Sequence, residues 1–199
     1  GMETNLTALF SAEPDAVITL CGTCGSMLRE LYPNFFQGKG ANSLSEKVMD
    51  LQEFLISQNL MKDVTFNEET RPLLRVTYHD PCHLNRGMGV RDAPRTILKS
   101  LPGVEFVEMR DADRCCGGGG LFSLSHYDLS LKIGRHKVER IRETQAEVVA
   151  TACPSCIIHL TDLLERAGFK TRVMHICELL DTALRISDTS LAAPVPKSR

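Results

Sequence analysis

The 199-residue chain has no excess of one charge: 23 Lys and Arg stand against 25 Asp and Glu, a formal net charge of −2. That balance gives no reason to expect nucleic acid or an anionic membrane surface as a partner. Nor is there an apolar run near the ~18–20 residues that span a bilayer. The chain opens on Gly1-Met2, which reads as a tag scar, with no basic segment followed by an apolar one, so no signal peptide is expected. Nucleotide motifs are missing too. No Gly-Lys-Ser/Thr follows the four glycines at 117–120, which excludes a Walker A loop, and no GxGxxG with an acidic partner marks a dinucleotide site. With 43% hydrophobic and 24% charged residues, the composition is that of an ordinary globular protein, one large domain or two small ones.

Cysteine is what the chain has in quantity. The eight stand at 21, 24, 82, 115, 116, 153, 156 and 177, and seven of them fall into pairs or motifs. A cytoplasmic, reducing location is expected, where clustered thiols serve as metal ligands or redox groups more often than as disulfides.

Short β-branched runs alternate with amphipathic patterns. Strands are expected at 15–20, 72–80, 104–109, 147–152 and 171–176. Helices are expected at 26–31 (interrupted by Pro33), 43–58, 92–101, 122–144 and from Cys153 to about Arg166, with a last one carrying Leu179, Leu180 and Leu184. In the 43–58 helix, Leu44, Val48, Leu51 and Leu55 share a face. In the 122–144 helix, Leu124, Tyr127, Leu131, Val138 and Ile141 lie near one side. This alternation predicts an α/β, Rossmann-like fold with mainly parallel sheets and flanking helices.

The pattern occurs twice. "DAVITLCGTCGSML" (15–28) sets beside "EVVATACPSCIIHL" (147–160), and "VMDLQEFL" (48–55) beside "VMHICELL" (173–180). Two pseudo-repeated units are expected. The first is partial, at 1–60, and reads as cut inside a longer protein. The second is complete, at 61–186, and residues 187–199 form a flexible tail.

The spacing carries the chemistry. Thirty-two residues separate Cys82 from Cys115-Cys116, and 36 more lead to Cys153-Pro-Ser-Cys156. Each group follows a predicted strand, and in open α/β sheets ligands bind at the carboxyl ends of strands. Three strand ends would therefore bring five thiols together. Adjacent Cα atoms are about 3.8 Å apart, less than the ~4.4 Å at which bridges begin, so Cys115 and Cys116 cannot readily pair. Zinc takes four ligands, and five cysteines fit an iron–sulfur cluster better.

"HDPCHL" (79–84), "RCCGGGGLFSL" (114–124) and "ATACPSCIIHL" (150–160) resemble the CCG, or cysteine-rich, domain family. That family includes the catalytic subunits of heterodisulfide reductase and the iron–sulfur subunits of glycolate and lactate oxidation. The resemblance covers roughly residues 15–186, and "LYPNFF" (31–36) and "GLFSL" look closest to the lactate/glycolate branch. It implies that Cys82, Cys115, Cys116, Cys153 and Cys156 bind a [4Fe-4S]-type cluster, non-cubane in some members. It implies electron transfer from a flavoprotein subunit to an acceptor, with a ferredoxin-like iron–sulfur segment as a further partner. Peripheral contact with a membrane quinone system at the inner face is a further expectation. No acid–base pair suits hydroxy-acid chemistry, so that step is assigned to the flavin subunit. Cluster-based disulfide cleavage and a zinc-stabilised docking scaffold remain as alternatives, as does whether the purified protein retains its cluster.

Gly117, Gly118, Gly119 and Gly120 are expected to admit N–H donors close to an anionic cluster, which in turn orders residues 114–121. Cys21 and Cys24 form a possible second, partial site, as zinc ligands, a disulfide or free thiols. Cys177 reads as a structural thiol. His79 and His83 flank Pro81-Cys82 as donors near the cluster, as a replacement ligand, or as ordinary core or turn residues. Asp80 is expected to cap the turn or to do chemistry. His126, His136, His159 and His175 carry no pattern.

Overall fold

Three runs rich in Val, Ile and Thr stop just short of a cysteine, and in the computed structural model each is a short strand. The structure describes residues 1–36, 40–62, 64, 66 and 73–184, so the expected tail lies outside them. Strands β3 (Leu74–Tyr78), β4 (Val104–Phe106), β5 (Val148–Thr151) and β6 (Arg172–His175) form a parallel sheet in the order β4-β3-β5-β6. β1 (Val17–Thr19) and β2 (Val48–Asp50) form a separate parallel pair.

All four residues of β5 are buried, as expected of a strand covered on both faces. Val148 and Ala150 join Val76 and Tyr78 in one core, with Ile97 and Leu98 of α6 (Asp92–Ser100) and Ile176 and Leu179 of α10 (Ile176–Ala183). Val149 faces the other way, onto Val138 and Ile141 of α8 (Tyr127–Thr144) and Leu160 and Leu164 of α9 (Pro154–Arg166). From β3 the chain winds outward to β4, and from β5 it winds the opposite way to β6. The order therefore reverses between β3 and β5, and a crevice opens at their carboxyl ends.

The β1–β2 pair shares the first core through Tyr32, Leu44 and Val48. Its end is stitched to the main sheet. The Gly22 N–H donates to the Ala152 carbonyl at 3.2 Å, and His175 Nε2 donates to the Leu20 carbonyl at 2.8 Å. His175 Nδ1 is then free to accept from the Cys177 N–H, which caps α10.

Three sequence expectations change. Residues 43–58 are not one helix but α4 (Ala41–Lys47), β2 and α5 (Leu51–Ser57). Val48 takes an extended backbone because it pairs with Val17, and Asp50 caps α5 by accepting from the Gln52 N–H at 2.9 Å. The helix expected from Ser26 begins at Gly22 as α2 (Gly22–Ser26) and passes through Pro33. A π turn at Met27–Leu31, in which the Tyr32 N–H reaches back to the Met27 carbonyl, shifts the ladder so that the missing proline donor is tolerated before α3 (Tyr32–Phe35). The 122–144 helix breaks at His126 into α7 (Phe122–Ser125) and α8, and Leu124 is exposed. The α8 face that is buried carries Ser130, Gly134, Lys137, Val138, Ile141 and Thr144.

Asp50 gives a pH signature. Burial raises its carboxyl to about 6, and its second oxygen has no partner. Between pH 4 and 6 the unfolded chain therefore loses a proton that the folded chain keeps, so stability falls as pH rises through that window. A slope worth on the order of 2–3 kcal/mol is expected. Urea unfolding from pH 4 to 7 should show it in the parent protein and lose it in Asp50→Asn; parallel profiles would refute the assignment.

Candidate metal centre

The β3 and β5 ends supply two of the three thiol groups directly. Cys82 follows β3 across His79-Asp80-Pro81, and Cys153 stands at the N-cap of α9 in extended backbone. Cys115-Cys116 arrives on the long loop after β4, held over the crevice by the Asp80 N–H bond to the Ala112 carbonyl (3.1 Å) and by Lys137. All five expected cysteines line one cavity of about 510 Å³, a size usual for cofactor sites. Cys21 and Cys24 line it too, along with Gly118, Gly119, Gly120, His79 and His83.

Glycines make that approach feasible. A Cβ on Gly22 would stand 2.8 Å from Leu84 Cβ, and one on Gly25 would stand 2.5 Å from Met88 Sδ. The α2 backbone therefore lies directly on the turn after Cys82, and the first Cys-x-x-Cys reaches the crevice of the four-stranded sheet. Cys177 lies elsewhere, half-buried, with its sulfur 3.9 Å from Gln52 Nε2.

Neighbouring thiols perturb one another along a series from Cys82 through Cys115, Cys116, Cys156 and Cys153 to Cys21. The Cys116 and Cys82 thiols and the Gly117 N–H (3.3 Å) hold Cys115 down to about 2. The Cys156 and Cys21 thiols likewise push Cys153 far below the thiol range. Their partners move the opposite way. The Cys115 thiolate drives Cys82 upward and holds Cys116 up to about 11; Cys153 raises Cys21, and Cys116 and Cys153 raise Cys156. Such a set releases protons when it takes up metal.

The glycine loop is built from behind. Gly117 has φ +97°, and a Cβ there would lie 2.6 Å from the Ser130 carbonyl. The Ser130 hydroxyl donates to the Gly117 carbonyl at 2.8 Å, which leaves its oxygen to accept from His159 Nε2 at 3.0 Å. Gly117→Ala is therefore expected to cost on the order of 2–4 kcal/mol and to lower metal retention. Gly120→Ala, with φ +54° and open space, should cost about 1 kcal/mol. Thermal unfolding and metal content of the two variants check this, and equal behaviour would refute it.

Sequence reasoning missed Lys137, Arg95, Ser130 and His159. Lys137 is fully buried and donates to the carbonyls of Asp111 (2.6 Å) and Ala112 (3.1 Å), so it places a cation behind Cys116. Asp80 proves to be half of a buried ion pair. Arg95 grips both of its oxygens at 2.9 and 2.8 Å and both oxygens of Glu108 at 2.8 Å. The one available signal was the Ser130, Gly134, Lys137, Ile141, Thr144 stripe on α8, spaced at i+4, i+7, i+11 and i+14. His83 turns to Thr23, whose hydroxyl lies 2.9 Å from Nδ1.

Residues 76–161, the segment that holds the five thiols, match the family model described as a cysteine-rich domain (CCG). Lactate utilization protein A of a Geobacillus species is 36% identical over 173 residues, which cover 84% of this chain and 71% of that protein. The chain belongs to the cysteine-rich (CCG) domain family. A second CCG relative, a fumarate reductase (CoM/CoB) subunit of Methanothermobacter marburgensis, is 42% identical over 173 residues, 85% of this chain. A third, an iron–sulfur protein of Methanococcus maripaludis, is 37% identical over 187 residues, 90% of this chain. The chain spans only 32% and 35% of those two proteins. No helix among the described residues of this CCG protein is long and apolar enough to cross a membrane.

Proposed function

We propose that this chain is an iron–sulfur electron-transfer subunit of an oxidoreductase, with a [4Fe-4S]-type cluster held by Cys82, Cys115, Cys116, Cys153 and Cys156. The observation that carries the reading is the convergence of three separate thiol groups on one crevice at the switch point of the sheet. The donor set fits such a group: it exceeds the four ligands of a zinc site, and the Gly117 N–H already points at sulfur. Backbone donors and a buried lysine suit an anionic cluster, whose potential they would raise. When bound, the cluster supplies one-electron chemistry. The chain's own residues hold it, balance its charge and limit its exposure to water.

The likeness to lactate utilization protein A supports a place in hydroxy-acid oxidation, with a flavoprotein as donor and a ferredoxin-like iron–sulfur segment beside it. Two pseudo-repeated units underlie the fold in this reading. Its support is the register: Val17↔Val48, Ile18↔Met49 and Thr19↔Asp50 recur at the matching positions as Val149↔Val173, Ala150↔Met174 and Thr151↔His175. Cys21 and Cys24 are then thiols of the first unit, beside the second unit's cluster.

The fumarate reductase relative and the exposure of Cys24 and Cys115 favour a second reading, disulfide chemistry at the cluster. Stopped-flow reduction of the reconstituted protein by a reduced flavoprotein separates the two. Electron uptake with no spectral response to thiols supports electron transfer. A new paramagnetic signal on adding a thiol substrate supports disulfide cleavage.

A further inference from the structure

His79 is 1% exposed, lies just past the end of β3 and faces the cavity. Its backbone N–H continues the ladder by donating to the Ala150 carbonyl at 2.9 Å, so the residue is fixed in place. Its Nδ1 is buried without a hydrogen-bond partner among the described residues. A buried polar atom left unpaired costs about 1–3 kcal/mol, and such atoms are uncommon in native structures. The ligand atoms of His79, Cys116 and Cys156 all lie within 4.8 Å of one another.

We propose that His79 is itself a metal ligand, binding through a ring nitrogen beside Cys116 and Cys156, so that the centre has a mixed nitrogen–sulfur ligand set. The inference rests on the reading that Cys116 and Cys156 bind metal. A neutral imidazole beside the five thiolates adds a ligand without adding negative charge.

The test uses zinc as the probe, on the metal-free full chain labelled with ¹⁵N-histidine. Long-range ¹H–¹⁵N spectra are recorded during the titration. One ring nitrogen should shift on zinc addition; that shift should be absent in His79→Gln and retained in His83→Gln. The zinc dissociation constant should rise about tenfold or more in His79→Gln, in the range of ligand-sphere losses. Zinc saturation that moves no ring nitrogen would overturn the proposal, as would a shift that survives His79→Gln. If His79→Gln fails to fold, the parent protein and His83→Gln still decide. Iron and sulfide content of the reconstituted parent is measured separately. Absence of iron and sulfide there refutes the cluster reading while the zinc result on His79 stands; a loaded cluster without a nitrogen shift does the reverse.

Discussion

Cys115→Ser is expected to abolish stable iron–sulfur loading, whereas Cys177→Ser should load as the parent does. Cys115 stands between Cys82 and Cys116 in the thiol series, and its sulfur receives the Gly117 N–H. Serine keeps the size but not the soft thiolate that iron–sulfur clusters require. Apparent metal-binding free energies at thiolate sites run to about 10 kcal/mol or more. That exceeds the ordering cost of a four-glycine loop, roughly 2–4 kcal/mol. On the proposed reading, a bound cluster adds to the protein contacts that order this segment. Amide exchange at residues 114–121 should quicken in Cys115→Ser and in chelator-treated parent protein. Cys177 packs against the first core, away from the cavity, and gives the contrast. Iron retained at parental levels in Cys115→Ser would show the ligand set to be wrong.

Arg95→Ala is expected to destabilise the fold by about 3–5 kcal/mol, the cost of leaving a buried charge uncompensated. The Asp80 carboxylate is 1% exposed, and Arg95 alone among the described side chains meets it as an ion pair. Arg95 also lies over the Tyr78 ring, with its guanidinium carbon 5.5 Å from the centroid. Arg95→Lys should rescue little, since an ammonium cannot grip two carboxylates in bidentate fashion. Glu108→Gln, at the half-exposed end of the network, should cost about 1 kcal/mol or less. Because Asp80 stands two residues before Cys82, Arg95→Ala should also loosen metal binding. Chemical denaturation of the three variants measures the ranking. A loss under about 1 kcal/mol for Arg95→Ala would mean that the pair does not secure the turn.

The sheet and the five-thiol set were readable because each cysteine group follows a β-branched run. β2 was not. A three-residue strand carries too little alternation to compete with the helical spacing of Leu44, Val48, Leu51 and Leu55. The likeness of "VMDLQEFL" to "VMHICELL" held the better clue, since the second copy was already read as strand then helix. In the 122–144 stretch Leu124 misled: it lies on α7 and is exposed, while the buried face of α8 carries Ser130, Gly134 and Lys137 beside the expected Val138 and Ile141. Lysine is rarely fully buried, so only the carbonyls of a loop 25 residues away reveal its place. Arg95 and His159 were invisible for the same reason, as their partners meet only in the folded chain. Cys21 and Cys24 were visible as a pair, but the close backbone approach at Gly22 and Gly25 that brings them to the main cavity was not.

The central claim is that this crevice holds an iron–sulfur cluster, and the most direct measurement is iron and acid-labile sulfide per chain after anaerobic reconstitution, with the visible spectrum. The expected result is iron and sulfide in equal, multiple equivalents, with broad visible absorption that bleaches on reduction. Zinc or iron bound without sulfide, as a single ion per chain, would contradict it.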